Sequence, residues 1–150
     1  MKVSTQIDIN STKEKVWSVI TDIENSANVI SGIIHIEILQ PAEGDLVGLK
    51  WKETRKMLGK EAQEIMWITH SEKYHYYQTR AESHGAIYVS RLNITEKSNN
   101  TVTLEMSFEG HSVSLTAKIL SGIFSIFMKK SMKKALEVDL QDIKSYCEAK

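Results

Sequence analysis

The chain has 150 residues, 41% of them hydrophobic and 25% charged, which suits one domain built around a single sizeable core. Lys and Arg number 19, as do Asp and Glu, so the formal net charge is zero and the basic excess typical of nucleic-acid-binding proteins is absent. The single cysteine, Cys147, excludes a disulfide within the chain. The lone cysteine suits a reducing compartment, the N-terminus has no apolar run and no stretch approaches the roughly 20 apolar residues of a membrane span, so we expect a cytoplasmic protein. No linker, repeat or low-complexity segment divides the chain, so we expect one domain, residues 1–150.

The N-terminal part predicts a strand followed by two short helices. Apolar and polar residues alternate over residues 3–9, as in a half-buried strand. The following "STKE" predicts a capping box, in which Ser11 caps the helix and Glu14 bonds back to the Ser11 amide. That helix carries Val16 and Trp17 on one side, and "DIENSAN" after it is typical of a second short helix or a turn.

The middle of the chain predicts consecutive strands joined by short turns. Ile34, Ile36 and Ile38 alternate with polar residues, which indicates a strand with an apolar face. The further strands are expected at residues 47–57, 61–70, 74–82, 86–95 and 101–109. The last ~30 residues are expected to form one long helix. This order predicts an α+β fold, in which a curved antiparallel sheet of about seven strands is covered by the long C-terminal helix.

The long C-terminal helix changes character along its length. From Met128 onward its apolar residues lie on one arc and a cluster of lysines lies opposite, as in a helix with one face on the core. Residues 119–128 are apolar nearly all round and must be covered. Three arrangements stay open. The short helices and strand ends near the start of the chain wrap this segment, a second subunit covers it, or it forms a partly exposed lip at the mouth of a cavity. A lip beside "KKSMKK" would suit transient contact with a membrane.

Several segments of the chain together resemble one superfamily. They are "STKEKVWSVITDIE", "GLKWKETRKM", "WITHSEKYHYYQT" and "NNTVTLEMSFEG", followed by the long final helix. This pattern is similar to the START-like (Bet v 1-like, SRPBCC) superfamily, and within it to the polyketide cyclase/dehydrase and lipid-transport branch. The resemblance implies a helix-grip fold, in which the curved sheet wraps the helix around a deep cavity. The segment "NSANVISG" departs from the family's aromatic and proline pattern, so we expect a different shape at that rim.

Two charges interrupt the apolar face of the strand at residues 47–57. Its odd positions include Trp51, Glu53 and Arg55, so a regular strand directs both charges toward the core. Charges on an apolar face are costly unless they are paired, solvated or used. Three readings remain open: an ion pair at a wet rim, a polar anchor for a ligand, or a bulge that turns both charges outward.

Further candidates come from the other strands and the helix. The expected ligand-binding residues are Trp51, Glu53, Arg55, Met66, Tyr88, Met106, Phe108, Phe124 and Met128. The catalytic candidates are Glu53, Arg55 and His70, the last because it shares a strand face with Met66 if that strand is regular. Ordinary core packing is the alternative for the apolar members. No pair of histidines has a metal-ligand spacing and no glycine-rich phosphate loop occurs, so we expect neither a metal nor another cofactor.

These observations favour binding, and possible transport, of a hydrophobic small molecule of lipid, polyketide or isoprenoid type. The first alternative is an enzyme that resembles polyketide cyclases or dehydrases and moves protons with a few polar side chains. The second is a module that binds another protein. The identity of the ligand and the oligomeric state stay open.

Overall fold

A computed structural model gives the arrangement of the chain. It describes residues 1–57, 59–83, 85–112 and 115–149, with the side chains of residues 1–56, 59–83, 85–111 and 129–149. The strands are β1 (Lys2–Ile9), β2 (Ile33–Gln40), β3 (Lys50–Met57), β4 (Lys60–Glu72), β5 (Tyr76–Ser83), β6 (Ala86–Ser98) and β7 (Thr101–Ser112). The α-helices are α1 (Lys13–Thr21) and α2 (Leu115–Glu148), and a 3-10 helix spans Ile23–Asn28.

All seven strands form one antiparallel sheet in the order β1-β7-β6-β5-β4-β3-β2. Strands β2 to β7 follow one another as a meander, and β1 closes the far edge by pairing with β7. The 34-residue helix α2 packs against β1 and β7. The expected α+β helix-grip architecture, with two short helices after the first strand, is therefore confirmed.

The core occupies one end of the sheet. Along the inner face of β7, Val102 and Leu104 are fully buried against Ile9, Val16 and the second half of α2. Alternation places later residues of β7 on this same face, at the opposite end of the strand. That opposite end lines a cavity, described below.

The cap of α1 differs from the capping box expected at Ser11. Thr12 is the N-cap: its backbone is extended and its hydroxyl accepts a hydrogen bond from the Lys15 amide at 3.2 Å. The Ser11 amide donates to the Ile9 carbonyl at 3.0 Å and closes a turn there. The helix consequently begins one residue later than the sequence motif suggests.

The second strand differs from its expected alternation. Ile33 is buried whereas Ile34 is 48% exposed, although Ile34 was expected on the apolar face with Ile36. The register with β3 shifts between Ile33 and His35, and such an irregularity moves the following side chains to the other face. The third strand is also shorter than expected, since it begins at Lys50 and leaves Val47 exposed.

Candidate functional site

A cavity of about 1150 Å³ lies between the inner face of the sheet, α1, the 3-10 helix and the second half of α2. Most of its wall is apolar, with Ile20, Ile23 and Leu92 among the contributors. Every expected ligand-binding residue whose side chain is described lines it: Trp51, Glu53, Arg55, Met66, Tyr88, Met106 and Phe108. Phe124 and Met128, also expected there, lie outside the residues whose side chains the structure describes.

A group of three charged side chains, Glu53, Arg55 and Asp139, forms a triad in the cavity wall. Arg55 donates from Nε to Glu53 Oε1 at 2.8 Å and from Nη1 to Asp139 Oδ1 at 3.1 Å. Asp139 Oδ2 is 3.0 Å from the same Nη1. Glu53 and Asp139 are buried, and the side chain of Arg55 is 20% exposed. The charges therefore point inward and bridge sheet to helix, and they are not turned outward by a bulge.

Burial and charge compete in setting the protonation of the triad. Burial raises the pKa of Asp139. The Arg55 guanidinium opposes this rise, and the negative charge of Glu53 adds to it. For Arg55 itself burial favours the neutral form, but Glu53 and Asp139 together outweigh burial and raise its pKa. The guanidinium therefore stays charged and holds two buried carboxylates.

Local sequence explains most of this geometry. Glu53 and Arg55 are two residues apart on β3 and thus share one face. Gly32 leaves room for the guanidinium, because a Cβ atom there would lie 3.3 Å from Arg55 Nη1. Asp139 was not among the expected site residues. The sequence feature that could have indicated it is the position of this aspartate within the apolar arc of α2, next to Leu140.

Comparison with known proteins places the chain in a family. The sequence profile described as "Polyketide cyclase / dehydrase and lipid transport" matches residues 1–148. The chain belongs to this family. Among curated proteins, none matches the chain in sequence.

Solved structures share the fold of this family member. A protein from Thermus thermophilus aligns with a TM-score of 0.79 at 12% identity, covering 97% of this chain and 95% of that one. An aromatase/cyclase from a Streptomyces species gives 0.78 at 11% identity, covering 99% and 93%. A START superfamily protein from Mycobacterium smegmatis gives 0.65 at 16% identity, covering 91% and 97%. At these identities the likeness concerns the fold, and it agrees with the superfamily that the sequence resembles.

Two tyrosines of this family member line the cavity on neighbouring strands. Tyr77 donates from its hydroxyl to the Ile20 carbonyl at 3.1 Å, and its pKa is raised by burial and by the charge of Glu53. Tyr88 stacks on Phe108 with ring centroids 5.6 Å apart. Burial raises the pKa of Tyr88 as well, and the charge of Glu64 adds to it. Both phenols therefore stay protonated; Tyr77 already donates its proton to Ile20, whereas the Tyr88 hydroxyl can donate to a ligand.

Two of the three tryptophans, Trp51 and Trp67, lie on opposite faces of the sheet, and the third, Trp17, lies on α1. Trp51 is 3% exposed and lines the cavity. Its buried Nε1 has no hydrogen-bond partner among the described residues, so replacing the indole by a phenyl ring breaks no hydrogen bond. Trp67 does not line the cavity, and Lys50 Nζ lies 5.8 Å from the centre of its ring. Trp51 is thus a natural fluorescent probe of the cavity.

His70 does not reach the cavity, contrary to its expected position on the face of Met66. The register between β4 and β5 shifts between Ile68 and His70, which turns the imidazole away. The side chain is exposed and its Nδ1 lies 2.9 Å from Thr69 Oγ1. The position therefore gives no support to a role in acid–base chemistry inside the cavity.

Two other features bear on the chemistry of this family member. Among the described residues, no three His, Cys, Asp or Glu side chains converge so that they could hold a metal ion. In the same part of the chain, no helix combines the length and the apolar character needed to cross a membrane.

Proposed function

We propose that the protein binds a hydrophobic small molecule of lipid, polyketide or isoprenoid type inside the cavity. The cavity of about 1150 Å³ carries the proposal. Protein interiors are close-packed and hold few voids larger than a water molecule. A space of this size matches or exceeds the pockets of about 300–1,000 Å³ that take up small ligands. An apolar wall with a few polar groups is typical of such pockets.

Shape and apolar burial would supply most of the affinity. Removing apolar surface from water contributes about 25 cal/mol per Å². The wall offers thioethers at Met66 and Met106, which adapt to irregular shapes. Glu53, Arg55 and Tyr88 would orient the polar end of the molecule, since they are polar side chains within an apolar surface.

We further propose that the protein carries its ligand and touches membranes transiently to exchange it. The support is a cluster of exposed lysines on α2, Lys129, Lys130, Lys133 and Lys134. Each basic residue near an anionic membrane surface contributes about 1 kcal/mol. Flotation with anionic vesicles at low salt, weakened by added salt and by Lys→Gln changes in the cluster, is the expected result. Equal binding to neutral vesicles would contradict an electrostatic contact.

A cyclase or dehydrase activity is the second candidate. The family description includes both reactions, and the cavity wall places Arg55 and Tyr88 where they could donate hydrogen bonds to a substrate carbonyl. Glu53→Gln and Arg55→Met distinguish the two candidates. Loss of turnover with retained binding would favour the enzyme, whereas loss of the fold would mean that the pair is structural.

Two measurements test the binding proposal. Native mass spectrometry of freshly purified protein should show a co-purified lipid-like mass. Titration with an apolar ligand should change the tryptophan fluorescence. Trp51→Phe should remove most of that change, because Trp51 lines the cavity while Trp17 only packs on the wall residue Tyr77. The matched variant Trp67→Phe should keep it. No bound mass and no response to any apolar ligand would overturn the proposal.

A further inference from the structure

The triad in the cavity wall carries an excess of negative charge. Glu53 and Asp139 share one guanidinium, so with both carboxylates ionised the triad has a net charge of −1. Both carboxylates are buried, and in such surroundings a charge acts more strongly than in water. A ligand that reaches this wall therefore meets a negative potential.

Carboxylates also act on the two phenols of the cavity wall. The pKa of Tyr77 is raised by burial and by Glu53, and that of Tyr88 by burial and by Glu64. In each case the charged group that adds to the effect of burial is a carboxylate. The carboxylates that act on the two phenols lie on β3 and β4.

Positive groups among the described lining residues do not reverse this balance. Arg55 is already bound to both carboxylates of the triad. The amino group of Met1 is exposed and donates to the Gly110 carbonyl at 3.1 Å. His111 is also exposed and lies 3.1 Å from Glu109. Within the described wall, no other cation is placed to receive an anionic ligand.

Neutral oxygen atoms suit the triad better than anions. A guanidinium has five N–H groups, and the two hydrogen bonds of Arg55 leave others able to donate to a carbonyl or hydroxyl oxygen. A ligand hydroxyl or ammonium could in turn donate to Glu53. A ligand carboxylate would add a third negative charge beside a single guanidinium.

From these contacts we infer that the cavity selects apolar molecules whose polar end is uncharged or cationic, and excludes the corresponding carboxylates. This inference rests on the proposed function and defines the class of ligand. Repulsion between like charges at a desolvated contact is a common means of rejecting a competing ligand.

Three probes with the same alkyl chain test the selection: hexadecan-1-ol, hexadecylamine and hexadecanoate, titrated at neutral pH with Trp51 fluorescence as the readout. We expect the amine and the alcohol to bind about tenfold or more tightly than the acid, a difference of about 1.4 kcal/mol. The amine and the acid are both charged, so their comparison cancels much of the cost of desolvating a charge.

Variants then assign the selection to the triad. Glu53→Gln and Asp139→Asn should each raise the affinity for hexadecanoate and bring the ratio of amine to acid closer to one. Glu82→Gln, which removes an exposed carboxylate on β5, changes the net charge equally and should leave the ratio unchanged. If one triad variant fails to fold, the other variant and the ratio of amine to acid affinity in the wild type still test the selection.

The outcomes separate this inference from the proposed function. Tighter binding of hexadecanoate than of hexadecylamine, or a ratio unmoved by either triad variant, would overturn the selection while ligand binding stands. Binding of none of the probes would count against the proposed function and this inference together.

Discussion

Arg55 on β3 and Asp139 on α2 are 84 positions apart in the chain, yet their side chains lie 3.0 Å apart in the wall of the cavity. Through Glu53 the same guanidinium is tied to its own strand. The sheet and the long helix are therefore joined by an ion pair at the cavity wall, where apolar packing is interrupted. The three side chains that join sheet and helix are thus the same ones on which the proposed ligand selection rests.

Removing the guanidinium should destabilise the fold strongly. Arg55→Met leaves two buried carboxylates without their counter-ion, and breaking a buried pair in this way costs about 3–5 kcal/mol. Arg80→Met is the matched control, because Arg80 also pairs with a glutamate two residues away but with 38% of its side chain exposed. We expect the control to cost less than about 1 kcal/mol. Urea unfolding measures the loss of unfolding free energy in both variants. Equal losses would contradict a buried role for Arg55.

Gly32 should be sensitive to a single added methyl group. A Cβ atom there would lie 3.3 Å from Arg55 Nη1, and the guanidinium has little freedom to move because Glu53 and Asp139 hold it. Replacing glycine by alanine where the backbone permits it normally stabilises by about 0.4–1 kcal/mol. We expect Gly32→Ala to destabilise the protein instead.

A double-mutant cycle shows whether that effect passes through Arg55. In an Arg55→Met background the contact is removed, so Gly32→Ala should cost less there than in the wild type. Free energies of unfolding of the four proteins give the coupling. Additive effects would mean that the added methyl acts through the backbone and not through the guanidinium.

Filling the cavity should reduce ligand binding without a large loss of stability. Ser90 lines the cavity on β6, so Ser90→Phe would place a ring in the space that a ligand needs. Its neighbour Val89 points to the opposite face of the sheet, and Val89→Phe should leave affinity unchanged. Titrations followed by Trp51 fluorescence compare the two variants. A solid interior would instead make Ser90→Phe destabilising by about 1–3 kcal/mol through overpacking.

The raised pKa of Asp139 implies a definite dependence of stability on pH. Because burial raises the pKa of this carboxyl in the folded state above its ordinary value of 3.8, the folded protein holds the proton more tightly than the unfolded chain. The stability that this contributes is complete below pH 3.8 and is lost as the pH rises through the folded pKa. Asp139→Asn lacks this contribution at every pH.

Urea unfolding at a series of pH values, from below 3.8 to neutral, measures the difference in unfolding free energy between wild type and Asp139→Asn. The advantage of the wild type should shrink as the pH rises through this window. Other carboxyls that titrate in both proteins, such as Asp8 with its pKa lowered by Lys97, cancel in the difference. A difference that is constant or grows with pH would contradict a raised pKa at Asp139.

Regular alternation made much of the cavity wall predictable. The period of two on β3 correctly placed Trp51, Glu53 and Arg55 on the inner face, and Met106 and Phe108, expected at the cavity from β7, line it as well. The same rule failed where a strand is irregular, because a register shift depends on the neighbouring strand. The exposure of Ile34 and His70 is the result. The cover of residues 119–128 stays a prediction, since the side chains of these residues lie outside those described.

By itself the sequence determined which residues share a face on the regular strands, that the strands follow one another as a meander, and that a long helix covers the sheet. Hydrophobic period and turn residues are local properties, so they can be read along the chain. Only the tertiary structure decided that Asp139 meets Arg55 and that Gly32 leaves room for the contact. Those relationships depend on how α2 lies across the sheet, and distant residues come together only when the core beneath them has packed.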